Sequence, residues 1–468
     1  MRILAAAAPF ALVCTSGLPA ANLDLTKPPE TPPIPNFKLP HIERFQLPNG
    51  LRVIAAEDPR FPLTTFRIAF HAGSKYDPKD LPGLSDSVAA LLNQGTASRT
   101  ARQIAEQAAD VGGEITAISS PDTLIVSGSC LSQNAPQFLA LLADVARNAS
   151  FPEDEVQLQK QNRLQKLRAE RSDADYLGRE ALSKALFGAH PYSNFGPTEQ
   201  ALSVLNKKVV ESFRDTYLVP NNAFLILVGQ LPEPQNLRNM ITEQFGSWQK
   251  KTPPPYQPSA IPRNAKKLVL VDRPGSVQAN IFSAHIAPTY GSSDIFPLAV
   301  GGMVLGGGTN SRLFSDIREK RGFAYDAHTE IERLKETGVA SAVTEVRNDV
   351  VEPAVKALND NLQAMAKQNV TPVELTDAKN SFAGKFILQL ERESGLADQL
   401  VRVETMGLPP DYLEMFTTRV RSVEPDQIRQ TGNYWNPDDA TLVVVGDAQK
   451  IQKSLDKYGT VQVTTPKP

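Results

Sequence analysis

Tyr217-Leu-Val-Pro-Asn-Asn-Ala-Phe-Leu-Ile-Leu-Val-Gly229 is matched by Tyr434-Trp-Asn-Pro-Asp-Asp-Ala-Thr-Leu-Val-Val-Val-Gly446, with Pro220 equivalent to Pro437. In both, a proline turn rich in Asn and Asp leads into an apolar run that ends on glycine. The first run, Ala223 to Gly229, is wholly apolar, as expected for a strand covered on both faces in the middle of a sheet. A second pair lies at nearly the same offset: Phe151-Pro-Glu-Asp-Glu155 and Thr371-Pro-Val-Glu374, each opening a helix. Two matches in register indicate duplication of a unit of roughly 200 residues, an ordinary domain size. A chain of 468 residues is also too long for one ordinary core. Runs of strands and runs of helices occur in each half. The expected fold class is therefore α+β, with two homologous domains, each an antiparallel-rich sheet with helices packed on one face.

The domains are expected at 37–251 and 263–468, joined by a linker at 252–262. That linker, Thr252-Pro-Pro-Pro-Tyr-Gln-Pro-Ser-Ala-Ile-Pro262, is proline-dense and without periodicity. Residues 1–21 read as a secretory signal. Arg2 supplies the positive start, Ile3 to Val13 a brief apolar run, and Leu18-Pro-Ala-Ala21 small residues for cleavage. Residues 22–36 read as a proline-rich arm, since Lys27 to Pro40 carries six prolines. The expected location is the periplasm or outside the cell. Cys14 follows Val13, a poor match to a lipoprotein cleavage site. Removal of the signal leaves Cys130 alone, so no disulfide within the chain is expected. Cys130 lies in the apolar run Leu124 to Leu131 and reads as a buried structural thiol.

Charge excludes some functions. Net charge is −2, with 41% hydrophobic and 21% charged residues, so no basic field favours nucleic acid or acidic lipid. No stretch is long enough to read as a membrane span. In the first half, Arg44 to Ala56 reads as a hairpin turning at Pro48-Asn49-Gly50. Leu63 to Ala72, Glu114 to Ser119 and Thr123 to Leu131 read as strands. Thr100 to Val111, stopped by Gly112-Gly113, reads as a helix, as do Asn134 to Asn148 and Glu153 to Ser172.

Between these elements lies Leu81-Pro-Gly-Leu-Ser-Asp-Ser-Val-Ala-Ala-Leu-Leu-Asn-Gln-Gly-Thr96. Pro82-Gly83 breaks the chain, Ser85 is positioned to cap a helix, and Leu84, Val88, Leu91 and Leu92 form its apolar face. Asp86 and Ala90 share another face. In a zinc peptidase of the inverted H-x-x-E-H type such a pair is His/His, preceded by a glutamate base. Here the three positions are Asp86, Ala89 and Ala90, and alanine neither binds Zn²⁺ nor moves a proton. The five histidines (His41, His71, His190, His285 and His328) show no pair at ligand spacing. Gly306-Gly-Gly308 lacks a following Gly-Lys-Ser/Thr, so a nucleotide loop is not expected.

The whole pattern resembles the peptidase family of insulysin, pitrilysin and the mitochondrial processing peptidase, above all its short bacterial members. The markers are Leu47-Pro-Asn-Gly-Leu-Arg-Val53, Ala72-Gly-Ser74, Gly83-Leu84 with Gly95-Thr96, Gly112-Gly113, and Ser311-Arg-Leu-Phe-Ser-Asp-Ile-Arg-Glu-Lys-Arg-Gly-Phe-Ala-Tyr325. The resemblance implies that the first metal-binding His falls at Asp86, the base at Ala89, the second His at Ala90 and the third ligand at Lys166, where an ammonium repels zinc. It implies no cofactor in this chain and zinc in a homologous partner.

It also implies that Arg318 and Tyr325 reach across to the zinc helix of the other half and hydrogen-bond the scissile carbonyl. Attack of activated water on a peptide builds negative charge on that oxygen, so preorganised donors lower the barrier. The edge strand matching Glu114 to Ser119 would bind substrate through the backbone of Thr116, Ala117 and Ile118. The expected function is the metal-free subunit of a periplasmic heterodimeric zinc peptidase. It would be inactive alone and would pair with a zinc-bearing homologue around unfolded peptides. The alternative is a non-catalytic peptide-binding or scaffold protein of the same fold.

Overall fold

A computed structural model describes residues 38–466; the expected signal and residues 22–36 of the proline-rich arm lie outside them. The first sheet contains β1 (Ile42–Gln46), β2 (Arg52–Glu57), β3 (Leu63–Phe70), β4 (Glu114–Ser119), β5 (Leu124–Leu131) and β6 (Ala223–Gly229). The second contains β7 (Lys267–Asp272), β8 (Gln278–Ala287), β9 (Ala324–Arg333), β10 (Gly338–Arg347), β11 (Thr441–Gly446) and β12 (Val461–Thr464). Their orders are β1-β2-β6-β3-β5-β4 and β12-β7-β11-β8-β10-β9. The two repeated runs, β6 and β11, occupy the same interior place, and both are buried throughout.

The sheets are mixed rather than purely antiparallel. β2 runs parallel to β6, as β7 does to β11, and β12 is also parallel to β7. The duplicated unit forces these parallel pairs. Its first and last strands lie side by side, and the chain reaches the second only through long helical connections. The outermost strands differ in origin: β1 is the first arm of the expected hairpin, whereas β12 comes from the far end of the chain.

Each sheet packs helices of its own half on one face, and a helix of the other half covers the opposite face. In the first half, Leu84, Val88, Leu91 and Leu92 pack with Phe66, Ile68, Phe70 and Val126 in one buried cluster. The opposite face is covered by helix Glu393–Met406 from the second half, packed on β3 and β6. Reciprocally, helix Ala174–Phe187 of the first half packs on β7, β8 and β11. Its Leu177, Leu182 and Leu186 share a cluster with Val271, Phe282 and Val445. Gly178 makes this approach possible, because a Cβ there would lie 2.1 Å from Cε2 of Phe282.

Charged contacts join the same two halves. Lys75 Nζ lies 2.8 Å from Asp122 and 3.1 Å from Glu336, and the Tyr192 hydroxyl donates to Asp122 at 2.7 Å. Burial disfavours the Lys75 ammonium, but the two carboxylates outweigh it and raise its pKa. Arg179 reaches Glu330 with two hydrogen bonds, at 2.7 and 2.8 Å. No regular element occupies the linker, and its Tyr256 ring packs 5.2 Å from that of Tyr76. Cys130 is buried, and burial pushes its thiol up to about 12. No described helix is long and apolar enough to cross a membrane.

Candidate functional site

Helix Leu84–Leu91 forms where expected, but Ser85 does not cap it. The buried carboxylate of Asp77 does so, accepting from the backbone N–H groups of Gly83 at 2.8 Å and Ser85 at 2.9 Å. Burial pushes the Asp77 carboxyl up to about 7 despite these donors. Gly83 turns the chain into the helix at φ 83°, against Pro197. The motif positions then diverge. Ala89 is 3% exposed and part of the core, whereas Asp86 and Ala90 are half-buried.

Asp86 faces a cleft of about 260 Å³ between the halves, lined also by Ser119, Ser120, Tyr192, Phe195 and Glu332. Burial raises the Asp86 carboxyl's pKa; Arg163 and, less strongly, Lys166 oppose that shift. Both cations belong to helix Glu153–Glu170. Lys166 is mostly exposed and 3.7 Å from Glu170, while Arg163 is largely buried and 2.8 Å from Glu170. The principal cation beside the motif is thus Arg163. Reading Lys166 alone misses it, although Arg163, Lys166 and Glu170 recur at helical spacing.

Zinc does not fit this place. One carboxylate, two alanines and two cations supply neither the donor count nor the charge that the metal needs. Among the described residues no group of three or more His, Cys, Asp or Glu side chains is arranged to hold a metal ion. His190 and His285 are buried and locally hydrogen-bonded, to the Tyr192 backbone N–H and the Asn436 carbonyl respectively.

The second locus lies at the start of β9. The chain there forms a π-helical turn, Phe314–Lys320, in which Arg321 N–H reaches the carbonyl of Asp316. Such wide turns recur at functional positions. Gly322, at φ 64°, then turns the chain into β9. Arg318 Cζ is held 4.6 Å from the ring centroids of both Phe314 and Tyr325. Tyr325 is 84% exposed. Among the described residues neither the guanidinium nor the phenol has a hydrogen-bond or salt-bridge partner. Phe314 is the residue that sequence reasoning missed, although its i, i+4 spacing to Arg318 could have revealed the stack.

The two loci are not brought together within the chain. Tyr325 and Glu332 are seven residues apart on β9, about 23 Å at the ~3.3 Å rise of a strand. Glu332 borders the Asp86 cleft, so the Arg/Tyr pair sits at the strand's far end. β4, with Thr116, Ala117 and Ile118, is the outer strand of the first sheet, and Ile118 is 59% exposed. Its outer backbone groups are unpaired in the sheet, the condition for adding a strand.

Two mixed six-stranded sheets, each packed with helices, set the frame in which the Asp86 helix and the Arg318/Tyr325 pair lie apart. Residues 52–195 match the model of insulinase (peptidase family M16), and residues 205–382 match that of the peptidase M16 inactive domain. The chain belongs to the M16 peptidase family. It is 23% identical to an uncharacterised zinc protease of Bacillus subtilis over 75% of this chain and 85% of that protein. Its fold is that of a peptidase M16 inactive domain from Pseudomonas fluorescens, with a TM-score of 0.81, 23% identity, and 91% and 100% of the two chains covered. A protease from Helicobacter pylori is similar at TM-score 0.80 and 19% identity, covering 87% and 100%.

Proposed function

We propose that this chain is the metal-free subunit of a heterodimeric zinc peptidase of the periplasm or cell exterior. Its partner would be a homologue that carries the zinc. The observation that carries this reading is the Arg318/Tyr325 pair, with Tyr325 exposed and Arg318 half-buried, neither hydrogen-bonded or salt-bridged to a described residue, and both remote from the chain's own cleft. Two aromatic rings hold the guanidinium in place without consuming its donors. Donors fixed in this way can act on a carbonyl presented by another molecule, where they stabilise charge that develops on its oxygen. An unfolded peptide would run along the open edge of β4 through main-chain hydrogen bonds, with Ile118 beside it.

The test is to copurify the chain with its zinc-bearing homologue and measure peptide cleavage. The isolated chain is expected to be inactive. In the complex, Arg318→Ala or Tyr325→Phe should lower kcat by more than ~10-fold, the scale for removing one transition-state donor. Unchanged turnover in both variants would remove the proposed role and favour a scaffold or peptide clamp instead.

A further inference from the structure

A cavity of about 450 Å³ lies between the start of helix Ile295–Gly306 and helix Tyr412–Arg421, and no residue of the π-helical turn lines it. Its walls are mixed: Tyr290, Phe296, Pro297, Leu408 and Tyr412 supply apolar surface, and Ser292, Ser293, Ser422 and Gln427 supply polar groups. Tyr412 is 3% exposed, yet its hydroxyl has no hydrogen-bond partner among the described residues. Positive charge converges on that hydroxyl, since Arg333, Arg419 and Arg402 all act on it. Arg419 borders the cavity, with Cζ 5.5 Å from the Tyr412 ring and 5.8 Å from the Phe296 ring. Arg333 lies over Tyr290 and keeps a buried, unpartnered Nε, while Arg402 donates to the Tyr290 hydroxyl at 3.1 Å. Among the described residues none of these guanidinium groups has a carboxylate partner. The N-terminus of the twelve-residue helix Ile295–Gly306 adds a partial positive charge at the rim.

Stacking alone does not account for this arrangement. Cation–π contacts attract a guanidinium to a ring, but they leave like charges gathered around a hydroxyl that donates to no described residue and belongs to a cavity-lining side chain. We propose that the cavity binds a carboxylate carried on an apolar body. Arg419 and the Tyr412 hydroxyl would hold the oxyanion, and the aromatic walls would hold the rest. The volume is within the usual range for small-ligand sites. Two sources share this chemistry, a free aromatic acid and the carboxy-terminal residue of a peptide. Burial pushes the Tyr412 phenol up to about 12, so it remains a donor at neutral pH. This inference is independent of the subunit role proposed above.

The experiment is calorimetric titration of the full chain, without partner, at fixed ionic strength. The probes are benzoate, N-acetylphenylalanine, N-acetylphenylalanine amide and inorganic phosphate. Saturable binding of at least one of the two carboxylates is expected, at least 10-fold tighter than the amide or phosphate. Arg419→Gln and Tyr412→Phe should each weaken it by 10-fold or more. Tyr412→Phe keeps the ring and breaks no existing hydrogen bond, so its folding should be intact. Tighter benzoate would identify a free acid, and tighter N-acetylphenylalanine a peptide terminus. Absence of binding, equal binding of the amide or phosphate, or unchanged affinity in both variants would overturn the proposal.

Discussion

The segments leading into the outer strands β4 and β9 occupy equivalent places in the two halves. In the first, the regular helix Ala101–Asp110 is held by a capping box between Thr100 and Gln103. Gly112 at φ 74° then turns the chain into β4. In the second, the π-helical turn Phe314–Lys320 is followed by Gly322 at φ 64° and β9. Counted from the glycine, Arg318 stands where the first half has Ala108, and Tyr325 where it has Ile115. Ala108 and Ile115 are core residues, 2% and 7% exposed. Tyr325 faces outward at 84% exposure, and the half-buried Arg318 stacks on it. One frame therefore serves packing in one copy and, in the other, holds a guanidinium stacked against two rings. The wider turn of the second copy accompanies this change, with Phe314 beneath the guanidinium.

Exchanging the two sets of residues should break this comparison most sharply. Ala108→Arg places a guanidinium in a packed core with no carboxylate waiting, and an expected loss of about 3–5 kcal/mol follows from burying an uncompensated charge. Arg318→Ala on the other copy should change stability by less than about 0.5 kcal/mol, as for surface substitutions. Urea unfolding of both variants checks the pair. Comparable losses would mean that Arg318 is structural and that the two places are not differently used.

The frame was legible in the sequence because packing imposes periodicity. The repeated runs at Ala223 and Ala440 predicted two sheets, and the glycines at 112 and 322 mark turns that need positive φ. The identities at Asp86, Ala89 and Ala90 were legible too, and alanine offers neither a ligand nor a base there. What remained hidden depended on distant contacts. Nothing local says that helix Ala174–Phe187 covers the second sheet, because an amphipathic stripe does not name the surface it meets. Asp77 was missed as a cap because it acts from outside the helix, in place of the nearer Ser85. The parallel strand pairs were missed because an apolar run carries no direction.

Smaller effects sharpen the same comparison. Each half carries a buried or half-buried histidine near the end of the strand that pairs antiparallel with its repeated apolar run: His71 just after β3, and His285 in β8. Burial, then Lys335, Arg52 and Lys75, push His71 down to about 4. Burial also lowers His285, but Asp439 at 3.2 Å and the carbonyl of Asn436 oppose the shift. A histidine kept neutral in the folded chain binds more protons when unfolded. Stability should therefore fall as pH drops below about 6.5, and for His71 the loss should continue toward pH 4, at most about 1.4 kcal/mol per pH unit. Unfolding midpoints between pH 7.5 and 5 should flatten more for His71→Gln than for His285→Gln. The opposite order would show that the cations around His71 do not set its charge. Gly112→Ala and Gly322→Ala should each cost about 1 kcal/mol, alike in both copies, because each glycine adopts a left-handed backbone.

The smallest structural effect is expected at Tyr325, and it separates folding from function. Tyr325→Phe removes a hydroxyl without a partner among the described residues and retains the ring stacked on Arg318. Its stability should therefore stay within about 0.5 kcal/mol of the parent chain. The same change should reduce turnover of the complex more than ~10-fold if the hydroxyl donates to a carbonyl in the transition state. At the equivalent place Ile115→Val trims a buried methylene, which typically costs about 0.5–1.5 kcal/mol, and should leave turnover unaltered. Measuring unfolding and cleavage on the same preparations decides between the two uses of the frame. A Tyr325→Phe variant that loses stability instead of turnover would assign this residue to packing, like its counterpart.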